Sequence, residues 1–381
     1  MSRRSIFALV LLAAFSFCAA GPVRGQGFNK GPGVPVKGVG HNDAGGGGMN
    51  GFGAPTPSPS PSPSPTPPFL RQRLHFTNPG LRPDDPATRT SNLAVTRAID
   101  RLSNPQATPA PAVEPGKEVK EVKEVKDLTT PACDGWFCNP SIFTEYDYVT
   151  SADKRTFGSD SHTNAFSLGG DFFTKGDILA GLIYTFNDQD DHAEFLKRRA
   201  DEYTNLVSLY MARSIGTWIN VGVAGGYGYT RVNETLFGPT GFGTGFADNQ
   251  WNVAPFVGVA HTWGAFSASL TTTFVEEWDR FSAAEFTPGF ESRTGLFEFT
   301  LRLGYAVTDK LKVEAYSTYV QAIDAPSALF FLPEDHNWWV FGTKISYQVT
   351  RPCQIYVGYE YAAFNDSYVD HTVRAGLSFA F

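Results

Sequence analysis

Residues 368–381 read YVDHTVRAGLSFAF, and the alternation in this stretch runs to the last residue. Val369, His371, Val373, Ala375, Leu377, Phe379 and Phe381 fall on one side of an extended chain, whereas Tyr368, Asp370, Thr372, Arg374, Gly376, Ser378 and Ala380 fall on the other. A soluble sheet can hold one such strand. After many similar segments, and with an aromatic residue last, the stretch predicts an all-β fold: a closed antiparallel barrel that crosses a membrane with about twelve strands.

Working outward, the sequence from Ser141 divides into twelve segments of the length a tilted membrane strand needs. They are Ser141–Thr150, Asn164–Thr174, Asp177–Phe186, Tyr203–Arg213, Trp218–Arg231, Trp251–Thr262, Phe266–Trp278, Leu296–Val307, Leu311–Gln321, Trp338–Thr350, Gln354–Asn365 and Tyr368–Phe381. Tight turns follow the even-numbered segments, among them Lys175-Gly176, Trp263-Gly264-Ala265 and Thr308-Asp309-Lys310. Long polar or glycine-rich connections follow most odd-numbered ones: 187–202, 232–250, 279–295 and 322–337. That asymmetry assigns the short turns to the periplasm and the long connections to the cell exterior. Asp366-Ser367 departs from it, and Pro255 inside the sixth segment predicts a bulge or local irregularity.

Alternation also separates the two faces. Phe297, Phe299, Leu301, Leu303 and Tyr305 are expected to meet lipid, with Glu298, Thr300, Arg302, Gly304 and Ala306 inside. In the fifth segment the inward set is Asn220, Gly222, Ala224, Gly226, Gly228 and Thr230, which leaves the wall nearly bare and the lumen with space. Trp136, Trp218 and Trp263 fall at expected periplasmic strand ends, and Trp251, Trp278, Trp338 and Trp339 at extracellular ends, the placement of two interfacial aromatic belts.

The expected inward charges are Glu145, Asp147, Asp171, Glu277, Glu298, Arg302, Lys312, Glu314, Lys344, Glu360, Asp370 and Arg374. Both signs are present, so pairing across neighbouring strands in a wet lumen is the ordinary expectation, and a selectivity constriction the sharper one. No nucleophile, base and orienting group assemble into a catalytic pattern, so no enzyme activity and no cofactor are expected. His192 with Asp188 and Asp190 reads as polar loop rather than as a metal set.

Upstream, Ser2, Arg3 and Arg4, the apolar run Ile6–Phe17 and the small residues Ala19, Ala20 and Gly21 form a secretory signal peptide within 1–25, with cleavage fitting after Ala20 or after Gly25. Phe17 directly before Cys18 disfavours a lipid anchor. Residues 26–130 read as a disordered low-complexity segment: a glycine run at Gly45–Gly48, a proline spacer at Pro55–Pro68, and two stretches with helical character. In the first, Ala87–Leu102, the residues Val95, Ile99 and Leu102 share a face; the second repeats Lys117-Glu118-Val119 through Val125. Helices this short are marginal in water, so a solvated linker with transient helix is the plain reading, and a plug helix at Lys117–Asp127 inside the lumen the alternative. The barrel domain occupies 131–381. Cys133 and Cys138 are close enough to close a small disulfide loop, which leaves Cys353 unpaired.

A net charge of −7 disfavours nucleic acid as a partner, while 38 glycines, 32 phenylalanines and 15 tyrosines favour strands over helices. The chain resembles the translocator domain of autotransporters, the type V secretion family, through a signal peptide, an N-terminal segment, a pore helix and about twelve strands. The apolar ending Val373, Leu377, Phe379 and Phe381 matches the family's C-terminal strand. The resemblance implies a bacterial outer-membrane location, contact with its lipid, and insertion by the barrel-assembly machinery. It departs from the family upstream, where the repeated strands of a β-helical passenger are missing from 26–130. Three functional expectations follow: a translocator whose N-terminal segment lies in or passes through the pore; a small passive channel with that segment in the periplasm; and a surface adhesion or structural protein displaying Phe237, Phe242, Phe246, Phe330 and Phe331.

Overall fold

The computed structural model describes residues 85–103, 137–153, 160–174, 178–193, 197–236, 242–282, 289–324, 337–364 and 368–381. One helix, α1 (Pro86–Ser103), precedes twelve strands: β1 (Cys138–Asp153), β2 (Asp160–Thr174), β3 (Ile178–Ala193), β4 (Arg198–Ile215), β5 (Ile219–Leu236), β6 (Phe242–Trp263), β7 (Phe266–Phe281), β8 (Phe290–Ala306), β9 (Leu311–Asp324), β10 (Asn337–Gln348), β11 (Cys353–Phe364) and β12 (Tyr368–Ala380). Each strand pairs with its sequence neighbours, and β1 pairs with β12, so the sheet closes on itself. The decisive terminal stretch forms the closure, in register from Ser141↔Ala380 to Asp153↔Tyr368. The Phe381 N–H donates to the Pro140 carbonyl at 2.9 Å. Closure satisfies the edge hydrogen bonds that an open sheet would leave exposed.

Side-chain parity follows the alternation. Ile142, Leu182, Leu209, Val223, Val257, Ile345, Val357 and Leu377 are among the exposed apolar residues, an outer surface that water would penalise and lipid would not. At one end the turns are tight: Gly216 and Gly264 adopt positive φ (69° and 60°), a backbone that favours glycine.

At the other end the strands run further than hydropathy indicates. Most of 187–202, 232–250 and 279–295, expected as loop, continues β3 to β8. Here Asn187, Gln189, Asp191, Glu202, Glu234, Asp248, Gln250 and Asp279 are buried and inward, while Asp190, His192, Arg199, Arg231 and Arg280 face out. Both faces are polar, so the hydropathy period vanishes although the pleat persists. Asp188, Asp190 and His192 therefore lie on the outward face of β3, not in a loop. Pro255 interrupts β6–β7 pairing only at Ala254 and Pro255. The register is the same on both sides, Val253↔Glu276 and Phe256↔Thr273, so there is no bulge. Bulges occur instead at Cys138/Ser141 and at Gly295/Leu296.

The signal peptide, the glycine and proline tracts, Lys117–Asp127, Cys133 and Trp136 lie outside the described residues. Cys138 is disulfide-bonded and Cys353 is free.

Candidate functional site: the inner wall and its helix

The stretch 87–102 departs from a solvated linker: it forms the middle of α1, and most of its apolar face is buried. Local sequence explains the start. Asp85 is the N-cap, its Oδ2 accepting from the Thr88 N–H at 2.8 Å, and Pro86 occupies the first helical position, where a missing N–H costs nothing. Arg101 in the last turn opposes the negative end of the helix dipole. Ala87, Ala94, Val95, Ala98 and Ile99 recur at helical spacing and are buried.

These residues meet the wall made by β3 to β7. The bare inward face of β5 and Gly258 of β6 give the helix its room: a Cβ on Gly258 would stand 2.8 Å from Ile99 Cδ1. Burial of this stripe contributes on the order of 1.5–3 kcal/mol per large side chain such as Val95 or Ile99.

Polar contacts fix its position. Asp171 of β2 takes Arg97 Nε at 3.1 Å, Arg101 Nε at 2.9 Å, Ser141 Oγ at 2.7 Å and Tyr210 Oη at 2.9 Å. The Arg97 guanidinium also stacks over Phe143, and that of Arg101 over Phe173. On the opposite side Asp100 bridges Arg302 (3.4 Å) and Lys344 (3.3 Å), and Asn92 donates to Glu298 at 3.2 Å. Asn252 Nδ2 donates to the Ala87 carbonyl at 3.3 Å. At the C-terminal end, Asn220 donates to Ser103 Oγ at 3.5 Å and Arg101 to the Asn139 carbonyl; both partners stand at the short-turn ends of their strands.

The expected charges also pair with one another. Lys312 and Lys344 both reach Glu314 at 3.0 Å; Arg374 bridges Glu360 at 2.9 Å and Asp147 at 3.4 Å. Glu145, Glu277 and Asp370 are also inward and buried.

Sequence reading missed two features. The first is a repeated three-strand link: Tyr210 crosses Gly181 of β3 to Asp171 of β2, Tyr316 crosses Gly342 of β10 to Glu360 of β11, and Tyr356 crosses Gly376 of β12 to Glu145 of β1. In each case the glycine is the direct cross-strand partner of the tyrosine, so an inward Tyr opposite a Gly is the signal that would have found it. The second is the acidity of the far end: the described inward side chains of β3 to β7 there include Asp191, Glu202, Glu234, Asp248, Glu277 and Asp279 and no base. Among the described residues no cluster of three or more His, Cys, Asp or Glu is arranged to hold a metal ion.

The tryptophans divide. Trp218, Trp263 and Trp278 are exposed outward at or near strand ends; Trp251 is exposed outward beside Tyr227 but falls midway along β6, because that strand starts nine residues earlier than expected, and Trp339 is half-buried beside Tyr319. Trp338 is a correction: it is 3% exposed and points inward with Val320 and Ala322, on the same face of β10 as Lys344, because alternation along a strand holds up to its end. Phe246 likewise is no exposed loop aromatic but packs inward with Phe281, Val232 and Ala200.

No protein-family model matches the chain, and no curated protein does. Solved structures do. The chain is similar to the translocator domain of the autotransporter NalP from Neisseria meningitidis, with a TM-score of 0.56, 11% identity, and 63% of this chain and 88% of that one covered. It is similar to the β domain of the Bordetella autotransporter BrkA, with a TM-score of 0.51, 14% identity and coverage of 64% and 100%. For the transport unit of the autotransporter AIDA-I from Escherichia coli the values are 0.50, 12%, 76% and 99%. At these identities the likeness establishes the fold: a twelve-stranded barrel of the kind those domains use.

Proposed function

We propose that this chain is a bacterial outer-membrane, translocator-like barrel in which the polypeptide ahead of α1 passes through the pore to the cell surface, and α1 remains as its lumenal end. The direction of α1 carries the reading. Its C-terminal residues Arg101 and Ser103 bond Asn139 and Asn220 at the short-turn end, so Pro86 points to the end where the strands run on and the connections are longer. In membrane barrels the short turns are periplasmic, and the chain ahead of Asp85 therefore leaves outward. A periplasmic N-terminal segment would call for the opposite direction. Solved neighbours described as a translocator domain and a transport unit support the same reading.

The outer apolar surface takes outer-membrane lipid, and the alternating terminus ending at Phe381 is the feature an outer-membrane assembly machinery would engage. The inner wall serves passage rather than catalysis. Ion current through planar bilayers tests this: a chain lacking residues 26–103 conducts far more than the full chain. Equal currents from the two would contradict it.

A further inference from the structure

The helix fills the lumen unevenly. Its close neighbours are β3 to β7, whereas it reaches β8 and β10 through long side chains, Glu298, Arg302 and Lys344. Between α1 and β8 to β12 lies a cavity of about 120 Å³. Hydroxyls line part of its wall, Thr271 and Thr273 of β7, Thr300 of β8, Thr318 of β9 and Thr372 of β12, and Val320, Trp338 and Val340 line another part. A second hollow of about 20 Å³ shares Ile99, Ser269 and Arg302 with it and continues to Ser103 and Lys312, near the short-turn end. Between them the two are lined by α1 residues from Thr88 to Ser103. Hydroxyls and paired charges at such spacing are partners for water.

We propose that this flank is a conduit for small inorganic cations that stays open while α1 is seated. The sign follows from two observations. The residues lining the two hollows include the acids Glu145, Glu298, Glu360, Asp370, Asp100 and Glu314 against the bases Arg89, Arg302, Arg374 and Lys312; Lys344, bonded to Asp100 and Glu314, still leaves the acids one ahead, and four of them are 3–6% exposed, inside the wall. The inner wall at the long-strand end adds Asp248, Glu277 and Asp279 with no base among the described inward side chains of β3 to β7. A lumen lined by an excess of one charge concentrates the opposite ion. The inference rests on α1 being seated in the pore, and a single experiment separates the failure of one from the failure of the other.

The full chain, reconstituted in planar bilayers, is expected to show a small, steady current, and under a tenfold KCl gradient a reversal potential of cation sign. Replacing Thr300 and Thr318, whose hydroxyls lie 2.9 Å apart, with tryptophan fills the cavity and lowers the current by about tenfold. Because two tryptophans can disturb folding, Thr318→Cys labelled in the assembled protein with a bulky thiol reagent serves as the second arm, with the unsubstituted chain and its Cys353 as control. The combined Asp248→Asn, Glu277→Gln and Asp279→Asn chain keeps the current and loses part of the cation preference. A silent full chain, a current indifferent to both ways of filling the cavity, or an anion preference overturns the inference. A full chain that already conducts as much as one lacking α1 overturns the seated helix itself.

Discussion

The two halves of the inner wall are built to opposite ends. From β3 to β7 the inward face is largely apolar where α1 lies, with Gly222, Ala224, Ala254, Gly258 and Ala260 set among the larger Leu179, Ile183 and Phe256, and the helix rests on it with Ile99 over Gly258. From β8 to β12 the inward face is hydroxylated and charged at Thr300, Thr318, Arg302, Glu360 and Arg374, beside an apolar patch of Val320, Ala322 and Trp338, and its polar bonds to the helix run through extended side chains. One wall holds by shape, the other by charge. The difference teaches that the lumen is not a uniform tube into which a helix happens to fit; its asymmetry is written in residue polarity on successive strands.

The comparison can be broken at definite points. The largest effect belongs to Asp171, whose side chain is fully buried between Arg97, Arg101, Ser141 and Tyr210. Asp171→Ala strands two arginines and should cost about 3–5 kcal/mol in thermal or denaturant unfolding, with α1 becoming open to protease. Next is Gly258→Leu, which drives a side chain into Ile99; it should loosen α1 by about 1–3 kcal/mol, read as a rise in bilayer current. A matching enlargement on the other wall, Thr300→Leu, should leave α1 in position. Tyr316→Phe removes the hydroxyl that reaches Glu360 across Gly342 and should lower barrel stability by about 1–3 kcal/mol without releasing α1. The smallest effect is Arg199→Ala on the outer surface, where the pairs with Asp190 and Asp201 are more than two-fifths exposed at both partners; unfolding should shift by less than about 0.5 kcal/mol.

Strand number, closure and facing were legible because lipid on one side and water on the other impose a period of two. Where that contrast ends, legibility ends with it: Glu202, Glu234, Asp248 and Asp279 sit on paired strands whose two faces are both polar, and hydropathy reads them as loop. The space beside β5 was visible in its glycines, but its occupant was not. The helix α1 is 18 residues long, and most of what holds it comes from packing its apolar stripe on the wall rather than from its own propensity. Trp338 shows a different lapse: its inward face was legible from Lys344, six residues on and on the same side of the pleat, but its place at a strand end was given more weight than its parity.

The central claim is the path of the chain: out through the lumen ahead of Asp85, with α1 inside. Trypsin added to intact cells, followed by mass spectrometry of the barrel fragment, tests it directly, because Arg71 and Arg73 precede the helix while Arg89, Arg97 and Arg101 lie within it. The account predicts cleavage at Arg71 or Arg73 and intact bonds after Arg89, Arg97 and Arg101. Uncut Arg71 and Arg73 on cells whose surface connections are cleaved, or a cut after Arg97 or Arg101, would contradict it.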